Sequence, residues 1–324
     1  MIRNRFTHLV LAIALLVGIS AKSFAQSPAQ NDLMYEVFVR SFASSTPNSL
    51  GDLKGLRSKL DYLSDLNVGI IWLMPIFPTR SYHGYDVTDY RNVNPEYGTL
   101  DDLKELTDAA HARGIRVMLD IPFNHTSREH PWFKDSIENG PKRSWYLMWP
   151  DDGQRANFWR TIEDSHGNKM KYFGLFSPNM PDLNFDNAEV RAEVKAIARF
   201  WLDRGIDGFR LDAAKHLYGW NFDPSDAEID KNNTYWREFS DYVYGINPNA
   251  VLMGEVLGEE KALVRHAGGL NLLVDEPFMK SARKQIETPT AGFVERYKKF
   301  LERGEAQNPN APFDAFVYLA SHDE

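Results

Sequence analysis

Apolar runs alternate along this chain with stretches in which leucines and other apolar residues recur at intervals of three and four. MYEVFVRSF (34–42) predicts a buried strand, and SLGDLKGLRSKLDYLSDLN (49–67) an amphipathic helix. VGIIWLMPIF (68–77) predicts a second strand, stopped by Pro75 and Pro78. TLDDLKELTDAAHARG (99–114) predicts a helix with Thr99 as N-cap, acids in its first turn and Gly114 at its end. IRVMLDIPF (115–123) is a third strand. Residues 126–187 then lose the rhythm: they are rich in Trp, Pro, Gly, Asn and Asp and too long for a connection, so they read as an inserted subdomain. The alternation resumes with a helix over 188–204, a strand over 208–213, a helix over 234–245, a strand over 251–256 and a short helix near 259–267. A strand over 270–278, a helix over 279–303 and a strand over 313–320 complete it.

Seven strands alternating with helices imply a parallel sheet covered on both faces, and no close internal repeat stands out. A doubly wound sheet and a closed eightfold barrel both fit that order. The expected fold class is α/β, a (β/α)8 TIM barrel. It is expected to be incomplete at the C-terminus, with the eighth β/α unit absent because the sequence stops at SHDE directly after the seventh strand. An open parallel edge would be an aggregation hazard, which favours a fragment over a finished open sheet.

Composition narrows the partners. A net charge of −8 argues against nucleic acid or an anionic membrane, because little on such a chain would neutralise phosphates. Aromatic residues make up 13% of the chain; packing uses most of them, and such richness also suits a cleft that stacks flat ligands such as sugar rings. Arg3 and Arg5 precede the apolar run LVLAIALLVGI (9–19) and then SAKSFAQ, the pattern of a signal peptide cut after Ala25. The run is shorter than the ~20 residues of a spanning helix. The expected organisation is therefore a signal peptide over 1–25, a catalytic barrel over 26–125 and 188–324, and an inserted small domain over 126–187. The expected location is outside the cytoplasm, periplasmic or extracellular, with no membrane contact after cleavage. With no cysteine, stability rests on the core and on any bound metal.

Polar groups recur where strands end: Asp120, Asn124 and His125 after the third, Arg210, Asp212, Lys215 and His216 after the fourth, Glu255 after the fifth, His322 and Asp323 after the seventh. In a βα barrel the carboxyl ends of the strands share one face, so these groups would converge on one cleft. Singly, each has a plain structural role open to it, as a cap, a core histidine or a solvated carboxylate; four strand ends together point to a site.

DIPFNH (120–125), GFRLDAAKH (208–216), GEV (254–256) and SHD (321–323), in this order, resemble the four signature regions of the α-amylase family of retaining glycoside hydrolases. HGYDVTDY (83–90) and MPDLN (180–184) resemble two further segments of that family. The likeness runs from about residue 32 to the last residue. It implies an α-glucan hydrolase that cuts α-1,4 bonds of starch or maltooligosaccharides by double displacement. That chemistry needs a nucleophilic carboxylate and a carboxylic acid ~5–5.5 Å apart. Asp212 is the expected nucleophile, held ionised by Arg210 two residues back on the same face. Glu255 is the expected acid/base, and Asp323 resembles the third carboxylate, which binds sugar hydroxyls. His125 and His322 resemble imidazoles that hydrogen-bond the sugar, Tyr85 resembles its stacking platform with His83 beside it, and Lys215 and His216 resemble a pair on the leaving-group side. Asp86 and Asp89 read as structural, and Asp120 as a residue that orients Arg210.

The resemblance also implies a structural Ca2+ held by Asn124, Asp182 and the backbone carbonyl of His216, oxygen donors suited to a hard cation. It implies no organic cofactor. LysHis at 215–216 favours an ordinary α-amylase, whereas MPDLN resembles neopullulanases and cyclomaltodextrinases. The short stretch ahead of the first strand favours a monomeric α-amylase. A transglycosylase on the same machinery, or a non-catalytic glucan-binding protein, are the other readings.

Overall fold

The computed structural model describes residues 32–150, 157–270, 272–287, 292–307, 313–318 and 322; the expected signal peptide and Asp323 lie outside the described residues. Seven parallel strands form one sheet: β1 (Leu33–Val37), β2 (Val68–Leu73), β3 (Arg116–Ile121), β7 (Gly208–Leu211), β8 (Val251–Gly254), β9 (Leu272–Val274) and β10 (Asp314–Phe316), hydrogen-bonded in that order. Helices alternate with them, so the sheet is an incomplete (β/α)8 barrel of seven strands among the described residues. Three short antiparallel strands, β4 (Met148–Pro150), β5 (Trp159–Glu163) and β6 (Lys169–Phe173), form a separate sheet between β3 and the next barrel helix. A bridge from His125 to Asp182 ties this segment to the end of β3, and one from Tyr146 to Leu183 closes it on itself.

The period-two alternation of the strands sorts two cores. Ile70, Trp72, Met118, Val251, Met253, Leu272 and Val274 pack together in one cluster. Ile71, Leu73, Val117, Leu119, Ile121, Phe209 and Leu211 belong to the larger cluster that includes helical leucines such as Leu103 and Leu106. Asp120 and Arg210 are register partners on β3 and β7, so they share one face of the sheet, and both are buried. Their alternation with apolar neighbours therefore does not mark a wet face; it places two charges inside the barrel.

Helix ends follow local chemistry. In α4 (Leu100–His111), Thr99 is the N-cap as expected and forms a reciprocal capping box with Asp102, and Gly114 beyond its end has φ +71°. Helix α6 (Ala188–Leu202) is capped by Asn187. Helix α7 runs Asp226–Ile246, eight residues earlier than the apolar spacing predicts, because Ser225 and Glu228 make a second capping box. The run 34–42 is not one strand: β1 ends at Val37 and a short helix α1 (Val39–Phe42) follows, folding Phe42 edge-on against Tyr35 at 6.0 Å. Apolar content alone does not separate those two states.

The expected helix 49–67 divides into α2 (Leu53–Arg57) and α3 (Leu60–Asp65), where the Ser58 hydroxyl donates to the Gly55 carbonyl at 2.6 Å and diverts it from the helical ladder. Strand β9 stops early because the Asp275 carboxylate accepts from the Phe278 N–H at 2.8 Å, a cap for α9 (Glu276–Glu287). The expected helix 279–303 is two, α9 and α10 (Phe293–Gln307), with Gly292 at φ +82° ahead of the second. Helix α8 (Glu260–His266) matches its short prediction. Among the described residues no helix is long and apolar enough to cross a membrane.

Gly208 opens β7 where its neighbour is closest: a Cβ there would fall on the Val251 carbonyl of β8. Gly208→Ala is expected to destabilise the protein by at least ~1–3 kcal/mol, the usual cost of overpacking, read as a lower urea midpoint at unchanged m-value. An unchanged midpoint would mean that β7 and β8 are not held at this separation.

Candidate active site

The centre of the cluster is Arg210, with 2% of its side chain exposed. Its Nη1 donates to Asp120 Oδ1 at 2.9 Å and to Asp212 Oδ1 at 2.5 Å, and its Nη2 lies 2.6 Å from Glu255 Oε1. Asp120 Oδ2 accepts from Trp72 Nε1 at 3.1 Å and from the Tyr85 hydroxyl at 3.0 Å. One cation thus faces three carboxylates from three adjacent strand ends. Burial pushes the Asp120 carboxyl up to about 6, against the pull of Arg210 and His322. Burial also pushes Asp212 well above the usual carboxylate range; Arg210 opposes this, and the charges of Glu255 and Asp120 add to it. The expectation that Arg210 simply holds Asp212 ionised is therefore corrected: the guanidinium is divided among three acids, and the cluster tends to retain a proton.

The turn after Asp212 is strained and braced. Ala213 adopts φ +49°, left-handed backbone that costs a residue with a Cβ roughly 1–2 kcal/mol. Its N–H donates to Glu255 Oε2 at 2.8 Å, and the Ala214 N–H donates to the Glu255 carbonyl at 3.1 Å. From α7, Trp236 Nε1 and Asn232 Nδ2 both donate to the Ala214 carbonyl at 2.7 Å. The helix that begins at the unforeseen capping box is thus what holds the Asp212 turn.

Above this cluster lies a cleft of about 510 Å3, within the range of small-molecule sites. His83, Tyr85, His125, Lys215, His216 and His322 all line it with Asp212 and Glu255; Arg210 is not among the lining residues. Tyr85 stacks on His83 at 5.9 Å and on His322 at 5.8 Å. Burial lowers His125 to about 4 and His216 to about 3, so both rings are neutral donor-acceptors near pH 7. Nε2 of His125 is buried with no hydrogen-bond partner among the described residues. Lys215 Nζ donates to the Leu257 carbonyl at 2.7 Å.

Sequence reasoning missed the apolar wall. Phe176 and Phe222 line the cleft with Met180 and Leu257, and Phe176 sits 5.5 Å from the His216 ring and 5.6 Å from that of His125. These rings stand in irregular segments without periodicity, so no local signal marked them. Asp86 accepts from Thr79 at 2.5 Å and from Ser81, and Asp89 accepts from the Arg91 N–H at 2.8 Å, both loop-tying roles as expected.

Asn124 and Asp182 meet, but on each other. Asn124 Nδ2 donates to Asp182 Oδ2 at 3.1 Å, and Asp182 Oδ1 accepts from the Leu175 N–H at 3.1 Å. Both carboxylate oxygens are therefore occupied by protein donors, and among the described residues no three His, Cys, Asp or Glu side chains are grouped to hold a metal. As arranged, the set does not fit a calcium shell; a cation there requires the Asn124 amide to turn and Asp182 to give up its donors.

The class defined by these features is a (β/α)8-type barrel with a carboxylate cluster at the carboxyl ends of its strands. The family model for the α-amylase catalytic domain matches residues 36–324. Alpha-amylase 3 of Dictyoglomus thermophilum is 41% identical over 302 residues, 91% of this chain and 57% of that protein. The 4-alpha-glucanotransferase of Thermotoga neapolitana is 35% identical over 241 residues, 72% of this chain and 51% of that protein. The crystal structure of alpha-amylase from H. orenii superposes with a TM-score of 0.76 at 37% identity, covering 90% of this chain and 61% of that one. The chain belongs to the α-amylase family. It spans about half the length of the curated relatives it matches.

Burial pushes the Asp182 carboxyl up to about 7. A folded-state pKa above the unfolded value means that the folded form holds the proton longer, so this group's contribution to stability falls as pH rises from about 4 to about 7. Asp182→Asn is therefore expected to melt at the same or a higher temperature than the wild type at pH 8, with neither protein responding to EDTA. A wild type that loses stability in EDTA, and a variant that is less stable and indifferent to EDTA, would instead assign Asp182 to a bound cation.

Proposed function

We propose that the protein is a retaining α-glucan hydrolase, exported from the cytoplasm, that cleaves α-1,4 bonds of starch or maltooligosaccharides as a monomer. The observation that carries this reading is the pairing of Asp212 and Glu255, from neighbouring strands, on the two terminal nitrogens of one buried guanidinium at the floor of a cleft. In the first displacement an Asp212 oxygen bonds to the anomeric carbon, while Glu255 gives its proton to the departing glycosidic oxygen. In the second, Glu255 takes a proton from water, whose oxygen displaces Asp212 and leaves the product with the starting anomeric configuration. Burial favours a proton on Asp212, and positive charge developing on the sugar favours its ionised form, the form that attacks. Asp323, outside the described residues, is assigned to the sugar hydroxyls beside them.

Tyr85 and the rings stacked on it supply a flat platform for a sugar, and the partnerless His125 Nε2 supplies a donor or acceptor for a hydroxyl. The Phe176 and Phe222 wall suits the apolar face of a further glucose unit. A second reading is transfer to a sugar acceptor instead of water. It is supported by the 35% identity to a 4-alpha-glucanotransferase, and it uses the same covalent intermediate.

NMR of fresh products from maltoheptaose separates these readings. The wild type is expected to release α-anomers no longer than the substrate, with Asp212→Asn at least ~1,000-fold slower, the scale on which loss of a catalytic group acts. Chains longer than maltoheptaose would establish transfer. Equal inertness of the two proteins, with glucan binding retained, would make the chain a binding protein.

A further inference from the structure

Among the described residues the edge strands of the sheet are β1 and β10, and a hydrogen bond joins Glu36 of β1 to His322, six residues past β10. Beyond β10, Nδ1 of His322 bonds Glu36 Oε1 of β1. On the other side of the ring, Nε2 of His322 lies 2.7 Å from the Tyr85 hydroxyl. Tyr85 has a single hydroxyl hydrogen, and it points to Asp120 Oδ2 at 3.0 Å. Asp120 is a pure acceptor in this setting, since Arg210 and Trp72 donate to it as well. With the phenol hydrogen spent on Asp120, the contact between Tyr85 and His322 needs a hydrogen on Nε2. The contact with the Glu36 carboxylate needs another on Nδ1. Both conditions hold only for a doubly protonated ring.

We propose that Glu36 is a positioning residue that keeps His322 a double N–H donor, and that it thereby orients the Tyr85 hydroxyl and, through Asp120, the guanidinium beneath Asp212 and Glu255. The chain of bonds runs Glu36, His322, Tyr85, Asp120, Arg210, and it links the open edges of the barrel through its interior. Trp72 packs edge-on against the His322 ring at 5.9 Å and donates to the same Asp120 oxygen as Tyr85, so ring and carboxylate share one support. Asp120, pushed up to about 6, is still ionised near pH 7, as this proton count requires.

Among the described residues, the ring is met by the Glu36 carboxylate of β1 and the Tyr85 hydroxyl from the loop after β2, and it acts on the charge of Asp120 on β3; Arg210 joins Asp120 to Asp212 and Glu255 further on. Among the described residues, Glu36 is the carboxylate that bonds the ring directly. Glu36 was invisible as a functional residue in the sequence, where one acid inside MYEVFVRSF reads as an irregularity in a buried strand.

As an aid to catalysis this role rests on the proposed glycosidic reaction, but the state of the ring can be read without turnover. In protein labelled with 15N-histidine, His322 is identified by the resonances lost in His322→Gln. Its two ring nitrogens are expected to stay protonated past the ~6.5 of a free imidazole. In Glu36→Gln, which keeps the shape and removes the charge, the midpoint is expected to fall by about one pH unit or more, and in Tyr85→Phe it is expected to fall as well. A wild-type ring already neutral at pH 6, or a midpoint unmoved in a folded Glu36→Gln, would overturn the proposal. If Glu36→Gln does not fold, Tyr85→Phe decides: an unmoved midpoint there overturns it equally. In an active protein the alkaline limb of kcat/KM should move with the midpoint. A ring that titrates as stated in a protein without activity would sink the proposed function and leave this assignment standing.

Discussion

One guanidinium shared by three carboxylates governs the rest of the site. Arg210 is buried, and Asp120, Asp212 and Glu255 all bond to it, so none of the three can be considered alone. A buried charge without a partner is strongly unfavourable, and so is a surplus of partners; the cluster balances these by retaining a proton. The same balance explains why the surrounding donors matter. Trp72 and Tyr85 both turn to Asp120, leaving it an acceptor with three donors, and Arg210 is then free to reach the other two acids.

The barrel supplies this geometry through strand register and the turn after β7. Asp120 and Arg210 are direct partners across β3 and β7, and Leu211 and Gly254 are partners across β7 and β8, one residue short of Asp212 and Glu255. The chain past Leu211 must nevertheless bend sharply to present Asp212, and Ala213 carries that strain. The bend is maintained by hydrogen bonds from outside it: Glu255 from β8, Trp236 and Asn232 from α7. The strain of this turn is thus offset by the packing of α7.

The cleft combines charged, hydrogen-bonding and apolar surfaces. Its lining joins the carboxylates Asp212 and Glu255, the stacked rings of His83, Tyr85 and His322, and Phe176 and Phe222 from irregular segments. Sugars offer both hydroxyl edges and apolar faces, and such a cleft meets both.

Much of this was legible in the chain. Buried runs alternating with amphipathic ones are enough to specify a parallel α/β sheet, and polar residues at strand ends are enough to locate its working face, because both follow from local periodicity and direction. Asp120, Asp212, Glu255 and the histidines of the cleft could be named on that ground. Helix boundaries were less legible: the Ser225 capping box lay in plain view but outside the apolar period, and Ser58 broke a helix that its leucines predicted to continue. What only the tertiary structure decided were the relations among groups distant in sequence. The division of Arg210 among three acids, the turning of Asn124 onto Asp182, the Phe176 and Phe222 wall, and the contact of Glu36 with a histidine 286 positions away all depend on which strand lies beside which. A sequence carries the identity of such groups. The distances and burial that set their charges exist only once the chain has folded.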